Sequence, residues 1–281
     1  MNGQPSRRRS AVAACIALAV LGAAPRTSAG RPESFHGPGG VMGLLYVPAG
    51  GASQLPAVLI VHDTLGLDQR SRRYVAQLNA AGLLVLEVEL RANPLDGFAE
   101  PLPGEAEAAG LVAHVAAALA RDPRVDPMRI GALGFGIGAR AVALASPARD
   151  GRATFAARLL LYPGCAGLGD LLPASPHAPG AVPSPVLILH GEDDPANAPK
   201  GCQELASAFG ATGPVRRISY RAATYAWDLP QPEGGEQAAQ PWPRGGGAVP
   251  VRSWPELAEF SAAEVARFFA QALRAATARA E

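Results

Sequence analysis

Arg129-Ile-Gly-Ala-Leu-Gly-Phe-Gly-Ile-Gly-Ala-Arg140 runs from an apolar, strand-like stretch through closely spaced glycines into a run that favours helix. This is the layout of a nucleophile elbow, a strand turning sharply into a helix with small residues around the turn. In the arrangement G-x-S-x-G the central residue is strained and raises its oxygen towards substrate, and the flanking glycines permit the close turn. Here the centre of the pattern is Gly136, so the frame is present and the serine is missing. A rival reading takes Gly134, Gly136 and Gly138 as a phosphate-cradling turn. It fails on spacing, which is not G-x-G-x-x-G, and on the lack of an acidic residue about twenty positions on at the end of a following strand.

On both sides of the elbow, apolar runs alternate with helical stretches. Val41 to Val47 and Ala57 to His62 read as strands separated by the turn Pro48 to Pro56, the second apolar on both faces like a central strand. Ser71 to Ala81 reads as a helix stopped by Gly82, Leu83 to Val88 as a strand, and Glu105 to Arg121 as an Ala-rich helix. Past the elbow and its helix, Ala139 to Ala145, come strands Arg158 to Tyr162 and Pro185 to His190 and a helix near Gly201 to Phe209. Strand Val215 to Tyr220 and a closing helix from Pro255 to about Ala276 follow. The pattern predicts an α/β fold, a mostly parallel central sheet with helices on both faces, whose site lies at the strand carboxyl ends. Three loops are long and rich in Pro or Gly: Ala92 to Gly104, Pro163 to Ser184 and Leu229 to Ser253.

With these residues in view the chain resembles the dienelactone hydrolase family of α/β-hydrolases, in particular its exported members with a disulfide. Pro56-Ala-Val-Leu-Ile-Val-His-Asp-Thr-Leu-Gly-Leu67 is similar to the family's third strand and oxyanion loop. Val186-Leu-Ile-Leu-His-Gly-Glu-Asp-Asp194 is similar to the strand and turn ending in the catalytic acid, and Tyr162-Pro-Gly-Cys165 with Cys202 matches the exported subgroup. The resemblance places the nucleophile at Gly136, the acid at Asp194 and the base at Tyr225, where family members carry histidine. It makes the Ile137 and Thr64 N–H groups oxyanion donors and Asp63 the acid beside the nucleophile. Asp63 read alone is also a plain exposed loop acid, and Asp194, just before Pro195, a plain turn former.

A triad needs a nucleophile that loses its proton to a base poised near neutral pH, with a carboxylate orienting that base. Glycine cannot attack, and a tyrosine with a pKa near 10 is a poor base at pH 7. Two of the three roles are therefore empty. His62 and His190 end strands, His114 lies on a helix, and His36 and His177 lie in loops; none stands at the base position.

The 281 residues carry 25 Lys+Arg against 24 Asp+Glu and are 48% hydrophobic, an ordinary globular balance. Residues 1–29 read as an export signal: Arg7 to Arg9 form a basic start, Ala11 to Ala24 an uncharged apolar run, and Thr27-Ser28-Ala29 offers small residues for cleavage. The expectation is a single domain over 30–281, periplasmic or secreted, with no stable membrane span once the signal is removed. Removal leaves 21 basic against 24 acidic residues and no electrostatic case for nucleic acid. In an oxidising compartment Cys165 and Cys202 remain, as one disulfide or as two buried thiols. There is no metal-ligand spacing, and this chemistry implies no cofactor.

Three functional readings follow. The first is a hydrolase-fold protein that has lost ordinary triad chemistry and keeps a pocket for a small ester, lactone or carboxylate. The second is an active hydrolase using water polarised between Asp194, Tyr225 and the oxyanion donors. The third is a cell-envelope interaction protein using loop Leu229 to Ser253 with Trp242 and Trp254.

Overall fold

The structure, a computed structural model, describes residues 32–50, 53–64, 66–90, 103–145, 155–172, 184–230, 237–239, 241 and 247–277. The expected export segment, most of the first long loop, His177 and Trp242 lie outside these residues.

In chain order the elements are β1 (Glu33–His36), β2 (Met42–Tyr46), β3 (Leu55–Val61), α1 (Ser71–Ala80), β4 (Leu84–Glu89), α2 (Glu105–Leu119), β5 (Val125–Phe135) and α3 (Ile137–Leu144). There follow β6 (Ala157–Leu161), α4 (Leu168–Leu171), β7 (Val186–Gly191), α5 (Pro199–Gly210), β8 (Val215–Tyr220), β9 (Gln237–Ala239), β10 (Val249–Val251) and α6 (Pro255–Thr277). Eight strands form one sheet in the order β1-β2-β4-β3-β5-β6-β7-β8. The pairs β1/β2 and β2/β4 are antiparallel, and every pair from β4/β3 to β7/β8 is parallel.

The central strands are apolar on both faces because both are covered. Residues 57–61 of β3 and all of β6 are buried. Leu59, Val61 and Ile188 pack with Val112 of α2, Val142 of α3 and Leu205 of α5 on one face. Ile60, Leu133 and Leu189 pack with Tyr74 and Leu78 of α1 and Val265 and Phe269 of α6 on the other. This is the expected doubly covered sheet. The turns after β3, β5, β6, β7 and β8 all leave the same edge, which brings Asp63, Gly136, Tyr162, Asp194 and Tyr225 to one end of the sheet.

Strand β1, the short helix α4 and the ribbon β9/β10 go beyond the sequence expectation. Edge strand β1 carries Glu33, Ser34 and His36 exposed, so it has no apolar alternation to read and is held by its pairing with β2. The third long loop contains the small ribbon β9/β10, which buries Ala239, Val249 and Val251 in the same cluster as Tyr225 and Trp227.

Cys165 and Cys202 form a disulfide with their Cα atoms 4.8 Å apart. It fastens the turn after β6 to α5, and both residues are buried. The bridge spans 37 residues, a loop whose closure restricts the unfolded chain by about 3–4 kcal/mol. Reduction, or Cys202→Ala, is expected to lower unfolding stability by about that amount in urea titrations run with and without reductant. Coincident midpoints would contradict it.

Candidate active site

The strand-to-helix turn is present in full. Gly136 follows β5 with φ 50° and ψ −116° and leads directly into α3, a conformation that strains any residue with a side chain. A Cβ on Gly138 would drive into the Val61 carbonyl, and its spacing from the His62 carbonyl oxygen would be 2.5 Å. The close seating of α3 on β3 therefore needs glycine there for packing alone.

Tyr225 fills the space above Gly136. A Cβ placed on Gly136 would collide with the Tyr225 hydroxyl and stand 3.1 Å from the Asp63 Cβ. The phenol oxygen thus takes up the volume into which a nucleophilic side chain would project. Tyr225 is fully buried, and its hydroxyl donates to Asp63 Oδ2 at 3.1 Å. Burial first, and the Asp63 carboxylate second, push the phenol well above its ordinary range, so it holds its proton at neutral pH.

Asp63 is itself buried and not an exposed loop acid. Arg70 grips it with two charge-assisted hydrogen bonds, Nη1 to Oδ2 at 2.9 Å and Nη2 to Oδ1 at 2.8 Å. Arg70 is completely buried, and its Nε also binds both carboxylate oxygens of Asp68 at 3.0 and 2.9 Å. Burial opposes the charge, but the neighbouring Asp63 holds the guanidinium well above its usual range. Arg70 Nη1 donates further to the Tyr162 hydroxyl at 3.1 Å, which donates to Asp228 Oδ1 at 2.9 Å. Asp228 Oδ2 accepts from Tyr74 at 2.6 Å. One buried network therefore runs from the elbow to α1. Sequence reasoning missed Arg70, Tyr74, Tyr162 and Asp228 as members of the site. The local signals were the place of Tyr162 at the head of Tyr162-Pro-Gly-Cys165 and of Asp228 three residues after Tyr225.

Asp194 ends the turn after β7, buried but turned to a local task. Its Oδ1 accepts from Ala196 N–H at 2.9 Å and its Oδ2 from Asn197 Nδ2 at 2.8 Å. Asn197 Oδ1 accepts from Gly164 N–H at 2.7 Å, tying the turn to the segment that holds the disulfide. Burial outweighs these bonds and raises the Asp194 carboxyl to about 6. The fold brings Asp194 and Tyr225 to the same edge, but the Tyr225 hydroxyl is given to Asp63. Ile137 is the first residue of α3, where backbone N–H groups lack intrahelical acceptors, and Thr64 follows Asp63 beside the same turn.

The strand-end histidines have other partners. His62 Nε2 lies 2.7 Å from Glu87 Oε1 inside the fold, and His190 sits against Arg217 and the Gly191 carbonyl oxygen. Burial lowers the His190 pKa.

A profile of the dienelactone hydrolase family matches residues 41–243. The chain belongs to the dienelactone hydrolase family. Its backbone is similar to that of a candidate dienelactone hydrolase from Klebsiella pneumoniae, 22% identical with a TM-score of 0.56 over 71% of this chain and 87% of that one. It is also similar to P91, a dienelactone hydrolase-like promiscuous phosphotriesterase from metagenomic libraries, 16% identical, TM-score 0.61, covering 86% and 97%. The thermophilic carboxylesterase EstE1, cloned from a metagenomic library, is 16% identical with a TM-score of 0.59 over 86% and 88%. At these identities the likeness establishes the α/β-hydrolase fold. No curated protein matches the chain.

Two predictions follow from the geometry of this family member. Gly136→Ser alone is expected to destabilise the fold by at least about 2 kcal/mol, since it adds both a left-handed side chain and an overlap with Tyr225. Adding Tyr225→His removes the overlap, so a double-mutant cycle by urea denaturation should show a favourable coupling of about 1 kcal/mol or more. Additive effects would show that the two residues do not compete for space.

The raised Asp194 carboxyl makes the second. Its folded pKa of about 6 lies above the unfolded value of about 3.9, so between these pH values the folded state binds the extra proton. This contribution favours folding below about pH 4 and is lost as pH rises through 6, a swing of about 2–3 kcal/mol. Relative to the unmodified chain, Asp194→Asn should therefore gain about 2 kcal/mol between pH 4 and pH 7. Urea titrations at the two pH values check this, and an unchanged difference would place the carboxyl in its ordinary range.

Proposed function

We propose that this is an exported dienelactone hydrolase-like protein that has lost ordinary triad chemistry and retains a small-molecule site, for an ester, lactone or carboxylate, at the elbow. The observation that carries the reading is the fully buried Tyr225 hydroxyl standing where the side chain of a nucleophile would project from Gly136. Supporting it, the Tyr225 phenol is pushed away from the pKa a base requires, and Asp63 is neutralised by Arg70. The same facts weigh against a water polarised between Asp194 and Tyr225. Both Asp194 oxygens cap their own turn, and the phenol proton is directed to Asp63. Export rests on residues 1–29. No helix among the described residues is long and apolar enough to cross a membrane.

The test is hydrolysis of p-nitrophenyl acetate by the mature protein beside Asp194→Ala and Gly136→Ser/Tyr225→His. The unmodified protein should not exceed the Asp194→Ala variant, and the double variant should gain about 10²-fold or more if the oxyanion donors keep working geometry. Robust turnover by the unmodified protein that Asp194→Ala abolishes would overturn the reading.

A further inference from the structure

We propose that His190 and Arg217 form an acid-released clasp at the edge of the sheet. When His190 takes up a proton it expels the Arg217 guanidinium, which loosens the hold of β7 on the end of β8, where the turn to Tyr225 begins.

The contact fixes its own protonation state. A guanidinium can only donate and a carbonyl can only accept. Arg217 Nη1 stands 2.8 Å from His190 Nε2, and the Gly191 carbonyl oxygen stands 3.1 Å from Nδ1. Nε2 is therefore the acceptor, Nδ1 carries the proton, and the ring is neutral. A second proton, on Nε2, would set donor against donor and cation against cation at hydrogen-bonding distance. One partner then has to leave, and burial decides which. His190 is fully buried at the end of β7, whereas Arg217 is exposed on the outermost strand and has solvent to move into.

The other charged groups around the ring have tasks of their own. Glu192, in the turn after β7, favours the protonated ring but accepts from Ser219 Oγ at 2.9 Å. Asp193 faces Arg252 at 3.7 Å, and Asp194 caps its own turn. On α5, Lys200 and Glu204 are exposed and lie 3.9 Å from each other. Cys165 and Cys202 are joined, and Arg158 of β6 lies at the far end of the sheet, beside Ser184. Burial pulls the His190 pKa down, the Gly191 carbonyl pulls it up and Arg217 pulls it down again, leaving it below the ordinary 6.5. With the folded value below the unfolded one, the clasp contributes in full above about pH 6.5 and is lost as pH falls through the folded value. Two hydrogen bonds lie between the clasp and Tyr225, Glu192 N–H to the Tyr220 carbonyl and Asp193 N–H to the Ala223 carbonyl, both 3.0 Å. Those two amides report whether the end of β8 is held.

Ring-nitrogen NMR spectra of the full chain should show His190 Nε2 without a proton near neutral pH and a titration below the ordinary 6.5. Arg217→Gln, which keeps a donor and removes the charge, should move that titration upward. Between about pH 7 and about pH 5, exchange of the Glu192 and Asp193 amides, corrected for the intrinsic effect of pH, should speed at least about 3-fold in the unmodified chain. The acceleration should be lost in His190→Gln, whose amide oxygen accepts from Arg217 at any pH. It should persist in Asp194→Asn, which removes the carboxyl that titrates at about 6 in the same turn. A proton on Nε2 near neutral pH, a titration that Arg217→Gln does not raise, or an acceleration that is absent, survives His190→Gln or vanishes with Asp194→Asn would overturn the proposal. If His190→Gln does not fold, the Arg217→Gln and Asp194→Asn comparisons decide alone.

Discussion

A side chain at position 136 and the hydroxyl of Tyr225 cannot share one volume, and the polar interior of this protein is built on that exclusion. With glycine at the elbow, the phenol reaches down to the turn and its hydroxyl is taken out of water. A buried hydroxyl needs an acceptor, which Asp63 supplies. A buried carboxylate in turn needs a cation, and Arg70 meets it with a two-pronged contact that lysine could not reproduce. The remaining guanidinium protons find Asp68 and Tyr162, and Tyr162 passes the demand on to Asp228 and Tyr74. Each link is the least costly answer to the burial of the one before.

Such a network is held by its completeness. Taking charges out of water costs several kcal/mol per ion, and mutual attraction offsets this only when the geometry is good and the remaining hydrogen-bonding positions are filled. Here they are filled by three tyrosines, all pushed by burial towards keeping their protons. Neutral donors locked on fixed carboxylates are suited to structure and recognition. Proton transfer near pH 7 asks for the opposite, a group whose two protonation states are close in energy.

The fold and the glycine at the centre of the elbow were legible in the sequence for one reason: both are written locally. Buried parallel strands appear as uninterrupted apolar runs, and the elbow appears as glycines at fixed spacing, so β3, β5, β6 and β7 fall within a few residues of their expected places. Asp63 was open between a loop acid and a site residue because burial is a property of what covers it, and the cover comes from Tyr225, 162 positions away. Arg70 was invisible for the same reason. Beside Arg72 and Arg73 it reads as the solvated start of a helix, and only the fold carries its guanidinium to Tyr162, 92 positions on. The ribbon β9/β10 escaped because Gln237–Ala239 is too short to show an alternation.

Most of the elbow's sequence signature answers to packing. Gly134 lies so close to the start of α3 that a Cβ would strike the backbone of Ala139, and Gly138 is pressed as tightly on β3. Both contacts exist whatever stands at position 136. The frame of a G-x-S-x-G motif is thus evidence for how a helix is seated on a sheet, while activity depends on the one central side chain that the frame does not require. Glycine at position 136 takes φ 50° without the strain a side chain would add and leaves a space at the strand edge. In this protein the hydroxyl of Tyr225, from the neighbouring turn, occupies that space and holds its proton on Asp63.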